Sequence, residues 1–466
     1  MTPEIYYQAI IEAQNERILA LEALLAERDA FNAKLLLRIE ELERRLGLTS
    51  QNSSKPPSSD GLRKPSPQSL REKSMKRSGG QMGHKGGTLK QVTQADQIIR
   101  HALTRCPQCT AELEHSAVIG LCRRQVFDIP EPRVLVTEHQ AQRKHCHVCA
   151  LDVTATFPEQ VQAPTQYGAR IKALSVYLHQ QQMIPEDRLA LLFQDVFSLP
   201  ISATSIANNS AIFAEQVMPF TETILENLRT AAVKNLDESG VRVAAKLHWL
   251  HVLSSSQWTY YRVTEKRGDI PQGLTGVVVH DHFKAYYKLP DVTHALCGAH
   301  HLRELKALVE IEKEPWASLM SRLLKLACHH VNQATLSPAR ENRIERCYDQ
   351  IVLQGLAFHE KQTPLQRGKR GRQKHRIGHN LVIRLRDYKA DALRFLFHDN
   401  VPFTNNQAEQ DVRMIKVKQK ISGGFRTLSG AQIFATTRSY LSSMRKQGIN
   451  LFQAILNPCP PNPANS

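Results

Sequence analysis

The sequence lacks any uninterrupted apolar run of about 18 residues, the length that a membrane-spanning helix needs. Residues 1–30 carry neither the apolar core nor the cleavage signature of a signal peptide. We therefore expect a soluble, cytoplasmic protein.

Acidic residues are scarce relative to basic ones. The 61 Lys and Arg outnumber the 44 Asp and Glu, which gives a net charge of +17. Such a chain attracts polyanions, and nucleic acid is the commonest of these because neutralising phosphates releases condensed counterions. An anionic membrane surface is the competing interpretation.

Cysteine is also sparse for a secreted scaffold. The 466 residues contain nine cysteines, four of them in two C-x-x-C pairs, which indicates metal binding rather than a disulfide framework. Apolar residues make up 41% of the chain, which is ordinary for a globular protein. This length predicts two or three folded units.

The first 48 residues carry a heptad seam of apolar side chains at Ile11, Ile18, Leu21, Leu25, Leu35, Ile39, Leu42 and Leu46. This seam predicts a coiled-coil helix through which the protein associates with itself. Gln14, Arg28 and Asn32 interrupt it, so an amphipathic helix packed on its own protein is the alternative.

Residues 49–90 are rich in Ser, Pro, Gly and Lys and contain few large apolar side chains. From Lys55 to Lys90 there are nine basic residues against two acids, Asp60 and Glu72. The composition predicts a flexible basic arm able to follow a phosphate backbone. A solvated linker without contacts is the alternative.

The two C-x-x-C pairs consist of Cys106 with Cys109 and Cys146 with Cys149. Strand-like sequence at 124–129 and 133–138 lies between them. Four thiolates in two knuckles predict a zinc ribbon with one structural Zn²⁺. Two unrelated redox pairs are the alternative, and Cys122, His101, His145 and His147 are further candidate ligands.

A helical pattern extends from about residue 165 to 230. It includes a helix, a turn marked by Pro200 and a second helix with a serine cap. A helix-turn-helix that recognises DNA and a plain core helix pair both fit this pattern.

After Thr230 the apolar periodicity changes to two, and we predict strands at 231–236, 241–253, 258–263 and 276–280. Asp237 follows the first of these strands and Asp281 follows the last. Acids at strand ends line the cleft where a sheet opens, as metal-dependent phosphodiester chemistry requires. Either aspartate alone is also compatible with a turn or cap.

A third acid, Glu409, begins a helical segment in which Arg413, Lys416 and Lys420 follow on the same face. An acid followed by three cations suits a helix that faces DNA. The alternative is a capping box, in which Glu409 returns a hydrogen bond to Asn406, and Asp411 is a rival acid.

Between the second and third acids lies Cys297-Gly-Ala-His300, followed by about a hundred residues of helical pattern. A second zinc site that uses His294 or His301 is one interpretation, but we favour a role for Cys297 and His300 in supporting the acids or in packing. Residues 361–376 contain seven Lys and Arg and no acid, which predicts a DNA-tracking loop. Its candidate DNA contacts are Arg367, Lys369, Arg370, Arg372 and Lys374.

Five blocks of sequence resemble the transposase family of insertion sequence 66 (TnpC type). They are QNSSKPPSSDG (51–61), GGQMGHKGGTL (79–89), LDESGVRV (236–243), CGAHHLREL (297–305) and VPFTNNQAEQDVRMIKVKQKISGGFRT (401–427). At Gly298 this chain departs from its relatives, which commonly carry a bulkier, often aromatic residue. We expect the departure to affect local packing and not catalysis.

The resemblance implies an α/β ribonuclease-H-like catalytic core with Asp237, Asp281 and Glu409 as its acidic triad. Such acids hold two Mg²⁺ or Mn²⁺ ions about 4 Å apart. The implied partners are the terminal inverted repeats of the element, target DNA and small accessory proteins of the same element.

The expected order of domains follows from the motifs and the resemblance together. It is a coiled-coil helix (1–48), a basic linker (49–92), a zinc ribbon (93–160), a helical domain for which DNA binding is one interpretation (161–229), the first part of the core (230–304), a helical insertion with the basic loop 361–376 (305–400), the second part of the core with the Glu409 helix (401–450) and a tail (451–466).

The resulting functional prediction is a transposase of a bacterial insertion sequence that cleaves and transfers DNA strands and associates with the nucleoid when it binds DNA. A catalytically silent, dimeric DNA-binding regulator would need the same coiled coil, zinc ribbon and basic arms without the acids. A ribonuclease-H-like nuclease would use the acids for hydrolysis alone.

Overall fold

A computed structural model describes residues 3–49, 52–53, 87, 89–333, 336–363 and 375–460. The chain divides into two compact units. One consists of Met1–Gln68, Pro164–Ala190 and Ser202–Ser466, and the other of Ser69–Ala163 and Leu191–Ile201. Within the described ranges, the helices are all too short or too polar to cross a membrane.

Helix α1 (Pro3–Gly47) is a single helix of 45 residues. Its apolar seam is open to solvent, with Ile18, Leu21 and Leu25 each about half exposed. The exposed seam is accessible to a second helix, and the coiled coil stays a prediction. The basic arm lies almost entirely outside the described residues.

The smaller unit contains one short hairpin, β1 (Arg143–His145) paired antiparallel with β2 (Asp152–Thr154). The strands predicted at 124–129 and 133–138 are wrong, because both segments are irregular. The apolar side chains there are exposed, 91% for Val126 and 87% for Leu135. Strand-forming composition without a surface to pack against does not produce a sheet.

Three further helices follow α1 before the main sheet: α2 (Ala169–Val176), which continues into a π-helical turn at Tyr177–Gln181, α3 (Glu186–Phe197) and α4 (Ala203–Thr230). A serine cap begins α4 as expected, since Ser202 Oγ accepts a hydrogen bond from the Ser205 N–H at 3.0 Å. The buried face of α4 extends from Ile206 to Leu228, so this helix contributes to the core over its length. A DNA-recognition role for the helix pair stays a prediction.

The main sheet is mixed and has five strands: β3 (Val233–Val243), β4 (Lys246–Ser254), β5 (Thr259–Thr264), β6 (Gly276–His280) and β7 (Val292–Leu296). Their spatial order is β5-β4-β3-β6-β7. The first three strands form an antiparallel meander, whereas β6 is parallel to β3 and β7 is parallel to β6.

The predicted strand at 276–280 matches β6, but the other boundaries differ. The predicted strand at 241–253 is wrong as a single strand, because a hairpin turn divides it at Ala244 and Ala245, both with positive φ. Strand β3 continues through Asp237 to Val243, so this acid lies inside a strand and not after it. Strand β7 was not predicted.

Helices follow the sheet, in agreement with the helical pattern: α5 (Gly298–Ala307), α6 (Pro315–Gln333), α7 (Pro338–Glu360), α8 (Ile377–Asp387), α9 (Lys389–Ala392) and α10 (Arg394–Phe397). Three more complete the described chain: α11 (Asn406–Ser422), α12 (Leu428–Lys446) and α13 (Leu451–Leu456).

Apolar clusters cover both faces of the sheet. Val241 and Val252 pack with Ile415 of α11 and Phe434 of α12 on one face. On the other face, Leu236, Leu253 and Val278 pack with Ile224 and Leu228 of α4. The ends of the strands are therefore where polar side chains can meet solvent and a substrate.

Candidate active site

Asp237 and Asp281 come from neighbouring parallel strands. The register pairs Asn235 of β3 with Val279 of β6, and continuing it by two residues places Asp237 level with Asp281. Asp281 begins the loop that leaves β6, where its Oδ1 accepts a hydrogen bond from the Phe283 N–H at 2.9 Å. The sheet thus brings the two predicted acids together.

The carboxylates interact electrostatically. Burial raises the pKa of Asp237 well above its ordinary value, and the negative charges of Glu238, Asp281 and Glu409 raise it further. Burial also raises the pKa of Asp281, and the charge of Glu409 acts in the same direction. Glu409 therefore contributes to the pKa shifts of both aspartates, although the described residues do not hold oxygens of all three carboxylates within 4.8 Å of one another.

Asn405 positions the third acid relative to the first. Its buried side chain donates from Nδ2 to the Leu236 carbonyl at 2.7 Å, and its Oδ1 accepts from Asn235 Nδ2 at 2.8 Å. Asn405 is the N-cap of α11, so these two bonds attach the start of that helix to β3 immediately before Asp237. Glu409 lies one turn into the helix.

Glu409 does not act as a capping residue. The cap of α11 has no side-chain hydrogen bond, which contradicts the capping-box interpretation. Glu409 instead faces α5, where its Oε2 lies 3.5 Å from Arg303 NH2 and its Oε1 lies 3.9 Å from His300 Nδ1.

The rival acid Asp411 belongs to a different network. Its Oδ2 accepts hydrogen bonds from the Ser254 hydroxyl at 2.6 Å and from Lys446 Nζ at 2.9 Å. The side chains of Asp411 and Lys446 are 14% and 12% exposed, so the pair is well shielded. Asp411 is therefore committed to joining α11 and α12 to the meander.

Cys297 and His300 occupy the cap and first turn of α5. Cys297 is the N-cap residue, and its Sγ accepts a hydrogen bond from the Asn405 N–H at 3.1 Å. Burial raises the pKa of the Cys297 thiol to about 11 and lowers the pKa of His300. Both side chains border the Glu409 carboxylate, and their role in supporting the acids stays a prediction.

Gly298 is explained by its neighbour Phe403. A Cβ at position 298 would lie 2.3 Å from the Phe403 ring, and the Gly298 N–H donates to the Phe403 carbonyl at 2.8 Å. The ring occupies the space that a larger residue at position 298 would need. The departure from the resemblance therefore concerns packing, as expected.

Glu238 and Arg267 form an ion pair that the sequence did not indicate, with Glu238 buried and Arg267 partly exposed. Glu238 is 3% exposed in its side chain and accepts from Arg267 Nε at 2.8 Å and from the Tyr286 hydroxyl. The Arg267 guanidinium lies over the rings of Phe283 and Trp249, 4.1 and 4.9 Å from their centroids. In a single sequence nothing distinguishes Glu238 from its neighbour Asp237 except its opposite position in the strand alternation.

A pocket of about 200 Å³ opens beside these groups. Its polar lining includes Arg267, Asp281, His300 and Arg384. The pocket therefore places cationic and imidazole groups next to a predicted catalytic acid.

The predicted cationic face of α11 lies on the surface. Arg413, Lys416 and Lys420 are all exposed. Desolvation lowers the pKa of Lys416, and the charge of Asp237 acts in the opposite direction. The other predicted DNA contacts, Arg367, Lys369, Arg370, Arg372 and Lys374, fall outside the described residues.

The two cysteine pairs form matching turns in the smaller unit. The Thr110 N–H donates to the Cys106 carbonyl and the Ala150 N–H to the Cys146 carbonyl, both at 2.9 Å. Backbone N–H groups from the second cysteine of each pair lower the pKa of the first thiol. The described residues do not, however, hold three of these sulfur atoms within 4.8 Å of one another.

Comparison with known families places this chain among transposases, which are enzymes that act on DNA. Residues 164–433, over half of the chain, match the family model described as Transposase IS66 family. The chain belongs to the IS66 transposase family, as the five sequence blocks indicated. Residues 4–90 also match a family of unknown function (DUF6444). A comparison with curated proteins finds no match.

Proposed function

We propose that this IS66-family transposase binds the terminal inverted repeats of its element and uses Asp237, Asp281 and Glu409 to cleave and transfer DNA strands. The observation that supports the proposal is the register that places Asp237 level with Asp281 on adjacent parallel strands, together with the Asn405 hydrogen bonds that attach the start of the Glu409 helix to β3. Asp237 experiences the charges of both other acids, although Glu409 lies far away in the sequence.

The sheet supports a ribonuclease-H-like core. Three antiparallel strands followed by two parallel ones, in the order β5-β4-β3-β6-β7, suit this fold, with the first acid on the central strand and the second after its parallel neighbour. In this proposal residues 230–304 and 401–450 form the core, and 305–400 is an insertion between the second and third acids.

The acids fit divalent cations. Burial and mutual repulsion both disfavour the ionised form of Asp237, and a bound Mg²⁺ or Mn²⁺ offsets both effects. Hard cations of this kind select carboxylate oxygens. Bound ions would supply activation of a water or 3′-hydroxyl and stabilisation of the leaving oxygen. The protein holds Asp237 and Asp281 on adjacent strands and Glu409 on a helix attached to β3 by Asn405.

Two further parts of the proposal concern DNA. We place the duplex along α11, with the scissile phosphate near Glu409 and the backbone beside Arg413, Lys416 and Lys420, because this face is exposed and cationic. The basic loop 361–376 would extend this contact.

Association and zinc complete the proposal. The exposed apolar seam of α1 would pair with a second copy, and accessory proteins of the element would join the assembly. Cys106, Cys109, Cys146 and Cys149 would hold one structural Zn²⁺ once their two turns close on the ion.

A strand-transfer assay on DNA that carries the terminal repeats of the element, with Mg²⁺ or Mn²⁺, tests the triad. We expect Asp237→Asn, Asp281→Asn and Glu409→Gln each to abolish product, while Asp291→Asn, a change at an exposed acid near β7, retains it. Normal activity in any triad variant would remove that residue from the proposed site. Cleavage without joining would indicate a nuclease.

A further inference from the structure

The first turns of α5 and α11 face each other and bring a thiol, an imidazole and a carboxylate together. One ligand atom from each of Cys297, His300 and Glu409 lies within 4.8 Å of the other two. Among the described residues, no other three His, Cys, Asp or Glu side chains bring one ligand atom each within this distance of one another. We propose that it binds a thiophilic divalent transition-metal ion of the Zn²⁺ class.

The spacing suits coordination better than hydrogen bonding. His300 Nδ1 and Glu409 Oε1 are 3.9 Å apart, beyond the length of a hydrogen bond. Bonds of about 2.0–2.2 Å from nitrogen and oxygen, arranged tetrahedrally, separate two ligand atoms by about 3.4 Å. A shift of about half an ångström between these two atoms therefore closes the pair on an ion.

These two atoms also lack other partners. His300 Nδ1 and Glu409 Oε1 are buried and make no hydrogen bond. Buried polar atoms without a partner are rare, and a missing ion is one of the standard explanations for them. Both orphan atoms here face the same gap, next to the Cys297 sulfur.

The backbone holds the ligands firmly. The Cys297 N–H donates to the His280 carbonyl at 2.9 Å, which extends the β6–β7 pairing up to the ligand. The Asn405 N–H donates to Cys297 Sγ, so α11, which carries Glu409, is attached directly to the sulfur. Such hydrogen bonds to a ligand atom orient it and tune its basicity.

The donor set determines the class of ion. A thiolate and an imidazole select Zn²⁺ or Co²⁺ over Mg²⁺, and three protein ligands leave a fourth position open for an oxygen from water or substrate. On binding, the Cys297 thiol loses its proton to solvent, and His300 keeps its proton on Nε2. Arg303, whose NH1 lies 3.4 Å from Nε2, then pairs with Glu409 Oε2 alone.

This site goes beyond the proposed strand-transfer chemistry, although it shares Glu409 with the triad. The ion proposed here uses Oε1 of that carboxylate with Cys297 and His300, whereas the Mg²⁺ proposal combines the same carboxylate with Asp237 and Asp281. It also differs from the proposed cysteine site, which lies in the smaller unit.

The test measures Co²⁺ bound by the full-length protein after metal removal, by metal analysis and by thiolate-to-cobalt charge-transfer absorption. We expect Cys297→Ser and His300→Gln each to bind one equivalent less than the wild type, with reduced charge-transfer absorption in Cys297→Ser. The matched control is Cys328→Ser, which removes a half-buried thiol from α6 and should leave the stoichiometry unchanged.

An unchanged stoichiometry in Cys297→Ser and His300→Gln would overturn the proposal. Tryptophan fluorescence checks separately that the larger unit is folded in each variant. Because the two variants remove different ligands of the same ion, both must lose one equivalent of Co²⁺. Asp237→Asn should abolish strand transfer and leave this equivalent bound, whereas Cys106→Ser should lose a different one. Failure of the metal site is thereby distinguished from failure of the proposed function.

Discussion

Asn405 offers the sharpest test of how the acids are held together. Its side chain is 1% exposed and bridges the Leu236 carbonyl and the Asn235 amide. Replacing Asn405 with Ala leaves both of these buried groups without a partner. Because α11 has no side-chain cap bond, the substitution removes no helix cap, so the loss measures the bridge alone.

The expected loss in stability follows from the two orphaned groups. Each buried group left without a hydrogen bond costs about 1–3 kcal/mol, so Asn405→Ala should lower the free energy of unfolding by about 2–6 kcal/mol. The start of α11 also loses its attachment beside Asp237. Since a displacement of about 1 Å can cost about 100-fold in rate, we expect strand transfer to fall by about that factor.

Urea denaturation followed by tryptophan fluorescence measures the stability effect. The three tryptophans, Trp249, Trp258 and Trp316, all lie in the larger unit, so the signal reports on the unit that contains the bridge. The control is Asn406→Ala, the same chemical change at the exposed neighbouring position. If the free energies of unfolding of Asn405→Ala and Asn406→Ala differ by less than about 0.5 kcal/mol, the bridge has no role in holding α11.

Two further predictions concern packing and pH. Gly298→Ala should destabilise the larger unit by about 1–3 kcal/mol through its clash with the Phe403 ring, and Phe403→Leu in the same chain should restore part of the loss. Gly168→Ala, where a Cβ meets nothing within 4 Å, is the control, and equal effects at the two positions would contradict the packing argument. Burial and nearby negative charge raise the pKa of Asp237, so the folded state holds a proton that the unfolded chain has lost, and stability without divalent ions should fall as the pH rises through the folded-state pKa. Asp237→Asn should flatten this dependence in urea titrations across that range, and an unchanged slope would refute the assignment.

The strands show which features of the sheet a sequence specifies. Strand β6 was predicted with its correct ends because Gly276 and Asp281 bound a continuous apolar run, as in a buried parallel strand. The hairpin after β3 was missed because Ala244 and Ala245 adopt positive φ without the Asn-Gly or Asp-Gly signal of such turns. Without that turn, the prediction ended the first strand at residue 236 and placed Asp237 after it, whereas β3 continues through Asp237 to Val243.

The site was predictable as a set of residues and not as a set of contacts. The family resemblance implied Asp237, Asp281 and Glu409 as the triad, but the parallel register that brings the first two level with each other is a tertiary property. The contacts of Glu409 are also a tertiary property. A capping residue and a catalytic acid at this position have the same sequence and differ only in the group that the carboxylate faces. Its position next to Arg303 decides against the cap.

The spacing of the acids depends on how the helical insertion begins and ends. The chain leaves the sheet at Cys297 and Gly298 and returns at Phe403 and Asn405, and these two ends bond directly through Gly298 N–H to the Phe403 carbonyl and Asn405 N–H to Cys297 Sγ. Once the ends are joined, lengthening the loop between them adds little to the cost of closure, because that cost rises only with the logarithm of loop length. An insertion of about a hundred residues can therefore vary without moving Glu409 relative to Asp281, provided that the contact between Gly298 and Phe403 is kept.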